Sequence, residues 1–94
     1  MKVVLIGGVQ FSAIMLKQLL HLPVDVVGVC TRNPRQMASD ELDLGPIAIE
    51  NGIPFKHVND INDSENLKWI AGLTPDLICC FGWSQLLSAG LLRI

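Results

Sequence analysis

Three short stretches of this 94-residue chain hold the residues that could bind or act on a ligand, and each follows an apolar run. They are "GGVQFS" (7–12), "CTRNPR" (30–35) and "FGWSQLLS" (81–88). Glycines ahead of a helix let backbone N–H groups approach a phosphate, so the first stretch invites a dinucleotide reading. The spacing does not fit G-x-G-x-x-G, because Val9 and Ser12 stand where glycines are required. The second stretch closes "GVCTR" rather than with the acid that holds a ribose 2′-hydroxyl. Arg32 could meet a 2′-phosphate instead, but a tight strand-to-helix turn is the plainer use of Gly7 and Gly8.

Acid–base candidates are sparse. His21 sits before Leu22-Pro23 at the end of a helical pattern and reads as a solvated end residue. His57 closes a short strand with no evident partner. Asp40, Glu41 and Asp43 cluster in a polar stretch, where a solvated surface is the expectation. Cys30, Cys79 and Cys80 are odd in number, and adjacent strand residues point to opposite faces, so the last two do not share a metal easily. They read as small hydrophobes in a reducing compartment. Neither a Ser/His/Asp set nor metal-ligand spacing stands out, so no catalytic and no metal residue is assigned.

"FGWSQLLS" is different in kind. Gly82 permits a sharp bend, and Leu86-Leu87 are apolar residues in a loop, where they need cover. Backbone amides between apolar side chains suit a flat heteroaromatic ring, clamped on its faces and read along its edges. The alternative is that Trp83 and the leucines only pack the rim of the domain. Residue types alone leave these two readings level.

The elements that must place these stretches are set by periodicity. Lys2–Ile6 is a continuous, β-branched run typical of a strand covered on both faces. Phe11, Ile14, Met15 and Leu19 fall on one helical stripe, which Pro23 stops. Val24–Val29 is a second strand and 31–43 a polar loop. "GPIAIEN" predicts a short helix with Pro46 in its first turn, ending near Gly52. "IPFKHV" is a third strand. Asn62 and Glu65 stand at capping-box spacing before a helix whose stripe is Leu67, Ile70 and Ala71, stopped by Gly72. Asp76–Phe81 is a fourth strand, and "SAGLLRI" resembles the start of another turn or helix. Alternating strands and helices with long connections predict a Rossmann-like α/β fold: a parallel sheet, right-handed crossovers and helices on both faces. In such sheets ligands gather beyond the carboxyl ends of the strands, where all three stretches lie.

Composition sets outer bounds. Half the residues are apolar and 17 % are charged, which excludes a disordered chain. Net charge is −2 with no basic run, so nothing marks a nucleic-acid surface within these residues. Apolar stretches fall well short of the roughly 18–20 residues needed to span a bilayer. "MKVVLIGG" lacks a signal-peptide cleavage site, and a cytoplasmic location is expected.

The sequence resembles the N-terminal part of the folate-dependent formyltransferase family, which includes methionyl-tRNA, sugar and glycinamide ribonucleotide formyltransferases. "MKVVLIGGVQFSAIMLKQLL" is similar to the family's opening strand, small-residue turn and helix, and "VDVVGVCTRNPR" to its second strand and variable loop. "PIAIENGIPFKHV" resembles the family's next helix and "GIP" strand. "NLKWIAGLTPDLICCFGWSQLLSAGLLRI" resembles its third helix, "PDLI" strand and glycine-aromatic loop. The resemblance implies a strand order of 3-2-1-4 and 10-formyltetrahydrofolate as formyl donor. It places Cys80, Gly82, Ser84, Gln85, Leu86 and Leu87 around the pteridine ring. The family's catalytic asparagine, histidine and aspartate lie in and beyond an Asn-x-His-Pro-Ser-type segment, where they stabilise an oxyanion and manage protons as an amine attacks the formyl carbon. No Asn-x-His pattern occurs here, so residues 1–94 are expected to be an N-terminal portion without that catalytic segment and inactive alone. The acceptor implied is an aminoacyl-tRNA or a nucleotide amino sugar. The lack of a basic patch leans away from tRNA, although the family's tRNA-binding parts lie largely downstream. The rival reading is a non-catalytic folate- or nucleotide-binding module. With strand four at one side of the sheet and free of charge after Asp76, the isolated chain is expected to self-associate.

Overall fold

The structure is a computed structural model, which describes residues 1–32 and 41–81. Its elements are β1 (Lys2–Gly7), α1 (Gln10–Leu19), β2 (Asp25–Arg32), α2 (Gly45–Glu50), β3 (Phe55–Val58), α3 (Ser64–Gly72) and β4 (Leu77–Phe81). The four strands form one parallel sheet in the order β3-β2-β1-β4. Both the Rossmann-like class and the strand order match the expectation.

β1 shows why an unbroken apolar run was needed at the centre. Val4 and Ile6 join Cys30, Val58, Ile61 and Ile70 on one face, where Leu67, Trp69 and Leu73 cover the sheet from the α3 side. Leu5 joins Val29 on the other face beneath Ala13 and Leu16 of α1 and Ala48 of α2. Neighbouring residues of one strand thus feed two separate cores, as the two-residue repeat requires. Helices lie on both faces.

Four local expectations are corrected. The buried stripe of α1 is Ser12, Ala13 and Leu16 with Leu19 beside them, while Phe11 and Ile14 are each 56 % exposed. Both stripes satisfy helical spacing, and the close approach of α1 to Gly7 selects the one that begins with small residues. β2 continues through Thr31 and Arg32, because β3 pairs with Val29–Arg32 and carries the ladder into residues whose composition reads as loop. α3 is capped by Asp63 rather than Asn62: the Asp63 carboxylate accepts from the Glu65 N–H at 3.1 Å. The turn before it is wound by Asp60, whose carboxylate accepts from the Asn62 N–H and whose carbonyl accepts from the buried Asn66 amide. Ala71 is exposed, and Trp69 packs on the core in its place.

α3 ends at Gly72 as expected, but without a left-handed glycine there. The residue in that conformation is Thr74, at φ +48°. Its hydroxyl donates to the Leu73 carbonyl and accepts from Lys2 Nζ. Asp76 then leads into β4: its carboxylate accepts from the Lys2 N–H at 2.8 Å, and its own N–H donates to the Lys2 carbonyl. The Thr74-Pro75-Asp76 stretch therefore sets β4 against β1.

Candidate functional site

All four strands are parallel, so their carboxyl ends share one edge of the sheet. The chain runs β1, β2, β3 outward in one direction and then returns to place β4 on the other side of β1. The order reverses between β1 and β4, and that switch is where ligands bind in open parallel sheets.

The half of the edge above β1, β2 and β3 is occupied by the chain itself. Val9 bridges Glu41, and the Leu42 N–H donates to the Gly8 carbonyl at 2.7 Å. The Leu44 N–H donates to the Oγ1 of fully buried Thr31. Arg32 Nε donates to Glu41 at 2.5 Å, and Arg32 also reaches the Asn59 carbonyl. Residues 41–44 thus form a strap across the strand ends. Arg32 is engaged by this strap rather than held out toward a 2′-phosphate. The strap also lies where a dinucleotide would cross from β1 to β2.

The strap contains a pair that the sequence did not reveal. His57 Nε2 lies 2.9 Å from Asp43 Oδ1, so His57 has a partner after all. The same Oδ1 accepts from the Gly45 N–H at the start of α2, and Phe55 meets the His57 ring edge-on. Asp43 and Glu41 are ligands of the chain's own groups rather than a freely solvated cluster. The signal that could have found them is topological: the ends of β2 and β3 are neighbours, so residues just past β2 meet residues closing β3.

The switch between β1 and β4 is built differently. Gly7 pairs with Phe81, and Ile6 with Cys80. A Cβ on Gly7 would lie 2.5 Å from Ser12 Cβ and 3.1 Å from the Phe81 carbonyl oxygen, so only glycine allows α1 to start so near the sheet. Ser12 Oγ donates to the Phe81 carbonyl at 2.6 Å and accepts from the Val9 N–H at 3.3 Å. The Phe11 and Phe81 rings stand edge to face, with centroids 6.0 Å apart. Among the described residues, the groups that meet at this switch are the Gly7 backbone, Ser12 and the Phe11 and Phe81 rings, whereas the Arg32–Glu41 and His57–Asp43 pairs lie over β2 and β3.

Of the residues expected around a pteridine ring, Cys80 is on β4 and exposed. Ile78 faces the α3 side, while Cys79 and Phe81 face α1, so alternation puts Cys80 on the α3 side. Desolvation holds its thiol above the ordinary value, opposite to an activated nucleophile. Gly82, Ser84, Gln85, Leu86 and Leu87 lie outside the described residues, as does Trp83. The structure brings the exit of β4 to the switch point, one residue before Gly82. No group of three or more His, Cys, Asp or Glu side chains among the described residues could hold a metal. No described helix is long and apolar enough to cross a membrane. His21 is exposed and lines an open cleft of about 340 Å³ with Lys17, Leu20, Ile47, Glu50 and Asn51, at the far ends of α1 and α2.

The described residues define a Rossmann-like α/β unit with its topological switch between β1 and β4. No family model matches the chain. Its sequence is similar to curated methionyl-tRNA formyltransferases over all or nearly all of its length. The protein of Citrifermentans bemidjiense is 31% identical over 98 aligned residues, covering 100% of this chain and 31% of the relative. That of Bacillus mycoides is 32% identical over 90 residues, covering 92% and 29%. That of Marinobacter nauticus is 30% identical over 99 residues, covering 100% and 32%. The chain is formyltransferase-like in sequence, and it spans about a third of the length of the curated relatives it matches.

Proposed function

We propose that this chain supplies the folate-binding part of a formyltransferase, which moves a formyl group from 10-formyltetrahydrofolate to a primary amine. The observation that carries the reading is the similarity of the whole chain to methionyl-tRNA formyltransferases. The geometry supports it: β4 brings Cys80 and Phe81 to the switch point, and the Phe11 and Phe81 rings beside it suit a flat, uncharged ring. Cys80, Gly82, Ser84, Gln85, Leu86 and Leu87 surround the pteridine in this reading. Folate brings the activated formyl group, and the residues of this chain bind and orient its ring. Attack by the amine needs an oxyanion donor and a general base, and in this reading residues 1–94 carry no Asn-x-His pattern to supply them.

The names of the relatives favour an aminoacyl-tRNA as acceptor, with a nucleotide amino sugar as the second candidate. The 94-residue chain alone should give no formyl transfer with either. The test of the site is Leu87→Asp in the protein at its full natural length. A carboxylate set against the ring without a partner should weaken folate binding by at least about 2 kcal/mol. Equal folate affinity in wild type and variant would remove residues 80–87 from the site.

A further inference from the structure

Ser12 carries an arrangement that the proposed reaction does not yet use. It is fully buried on α1, and its hydroxyl ties the start of that helix to the end of β4. The directions of its two bonds are fixed by chemistry. A carbonyl can only accept, so the single hydroxyl hydrogen goes to the Phe81 oxygen, and an N–H can only donate, so Oγ accepts from Val9. Phe81 closes β4 opposite Gly7, where β1 also ends. The Phe81 carbonyl belongs to the peptide that joins Phe81 to Gly82. Its orientation is therefore set by a side chain on a helix rather than by the ladder alone. Gly7 completes the arrangement, since any Cβ there would meet both Ser12 Oγ, at 2.6 Å, and the Phe81 carbonyl.

We infer that Ser12 is a positioning residue for the proposed folate site: it fixes the Phe81 carbonyl and with it the direction in which the backbone leaves β4. The inference rests on the placement of the pteridine at residues 80–87 proposed above. Ser12 touches no substrate; it acts through the backbone of Phe81. Alanine keeps Cβ and the helix but deletes both bonds, which frees the peptide plane to rotate.

The test measures binding of 5-formyltetrahydrofolate, a non-transferring folate, to the protein at full natural length. Ser12→Ala should raise its Kd about five- to tenfold, the scale of one lost buried hydrogen bond. Ser12→Cys, which keeps a weak donor, should fall between the two. Asp63→Ala serves as a control of similar stability cost, because it removes the α3 cap far from the switch. It should leave Kd unchanged. If Ser12→Ala and Asp63→Ala both bind as wild type while Leu87→Asp does not, Ser12 merely holds the fold and this inference is overturned. If Leu87→Asp also binds as wild type, the ring placement itself fails and takes the role of Ser12 with it.

Discussion

Replacing Gly7 by alanine tests the geometry at the switch point most directly. The new Cβ would sit 2.5 Å from Ser12 Cβ, where carbon atoms ordinarily rest about 3.5–4.0 Å apart. Relief thus needs a shift of about 1 Å. Ser12 Cβ is fixed to the helix backbone, so the first turn of α1 must move rather than a side chain. Overpacking of this kind costs about 1–3 kcal/mol. Displacing Ser12 also strains its bond to the Phe81 carbonyl, worth roughly a further 0.5–1.5 kcal/mol. The sum of about 1.5–4.5 kcal/mol is a large share of the stability of a domain this small, which is on the order of 5–10 kcal/mol. Urea unfolding followed by Trp fluorescence should show the midpoint falling with its slope unchanged. Gly28→Ala is the control: its Cβ also meets an atom at 2.5 Å, but that atom is Leu73 Cδ1, the end of a side chain that can rotate. It should stay within about 1 kcal/mol of wild type, helped by the lower unfolded-state entropy of alanine. Ser12→Gly should recover part of the Gly7→Ala loss by removing the opposing Cβ, a coupling read from the double-mutant cycle. A Gly7→Ala protein as stable as Gly28→Ala would refute the reasoning, because it would mean that α1 does not bear on β1 there.

Burial pushes the Cys30 thiol up to about 12, with the nearby Lys56 charge opposing it weakly. Folded and unfolded chains both keep the proton below about pH 9; above that the unfolded chain releases it while the folded chain holds it. Stability should therefore fall between about pH 9 and 12, by at most about 1.4 kcal/mol per pH unit, and Cys30→Ala should flatten that slope. Thiol labelling of the native chain at about pH 8 should modify exposed Cys80 first and leave Cys30 unmodified until denaturant is added. β4 is at the margin of the described sheet, with Leu77 exposed and no charge from Leu77 to Phe81, so the 94-residue chain should self-associate. Sedimentation should show mass rising with concentration, and Cys80→Lys should shift it toward monomer; a wild-type monomer at millimolar concentration refutes the edge pairing.

The class of the fold was legible in the sequence because it depends on period. "KVVLI" can be buried on both faces only at the centre of a parallel sheet, and alternation with helical stretches leaves few topologies. The glycine turn after β1 and the proline in the first turn of α2 were equally local, since each depends on one residue's own backbone preferences. The strand order came from the resemblance, and the structure bears it out.

What required the tertiary structure was every choice between two locally equal options. Phe11/Ile14 and Ser12/Ala13/Leu16 are both acceptable stripes; the distance from α1 to Gly7 excluded the bulkier one. Thr31 and Arg32 are polar and come after an apolar run, so no local rule extends β2 through them. Only the presence of β3 alongside makes their backbone groups ladder partners. Asp43 and His57 are 14 residues apart and become a pair because β2 and β3 end side by side. Ser12 and Phe81 are separated by 69 residues, and nothing in either residue announces the other. A hydroxyl takes whichever carbonyl the fold brings within about 3 Å, and that meeting exists only once β4 has returned to the side of β1.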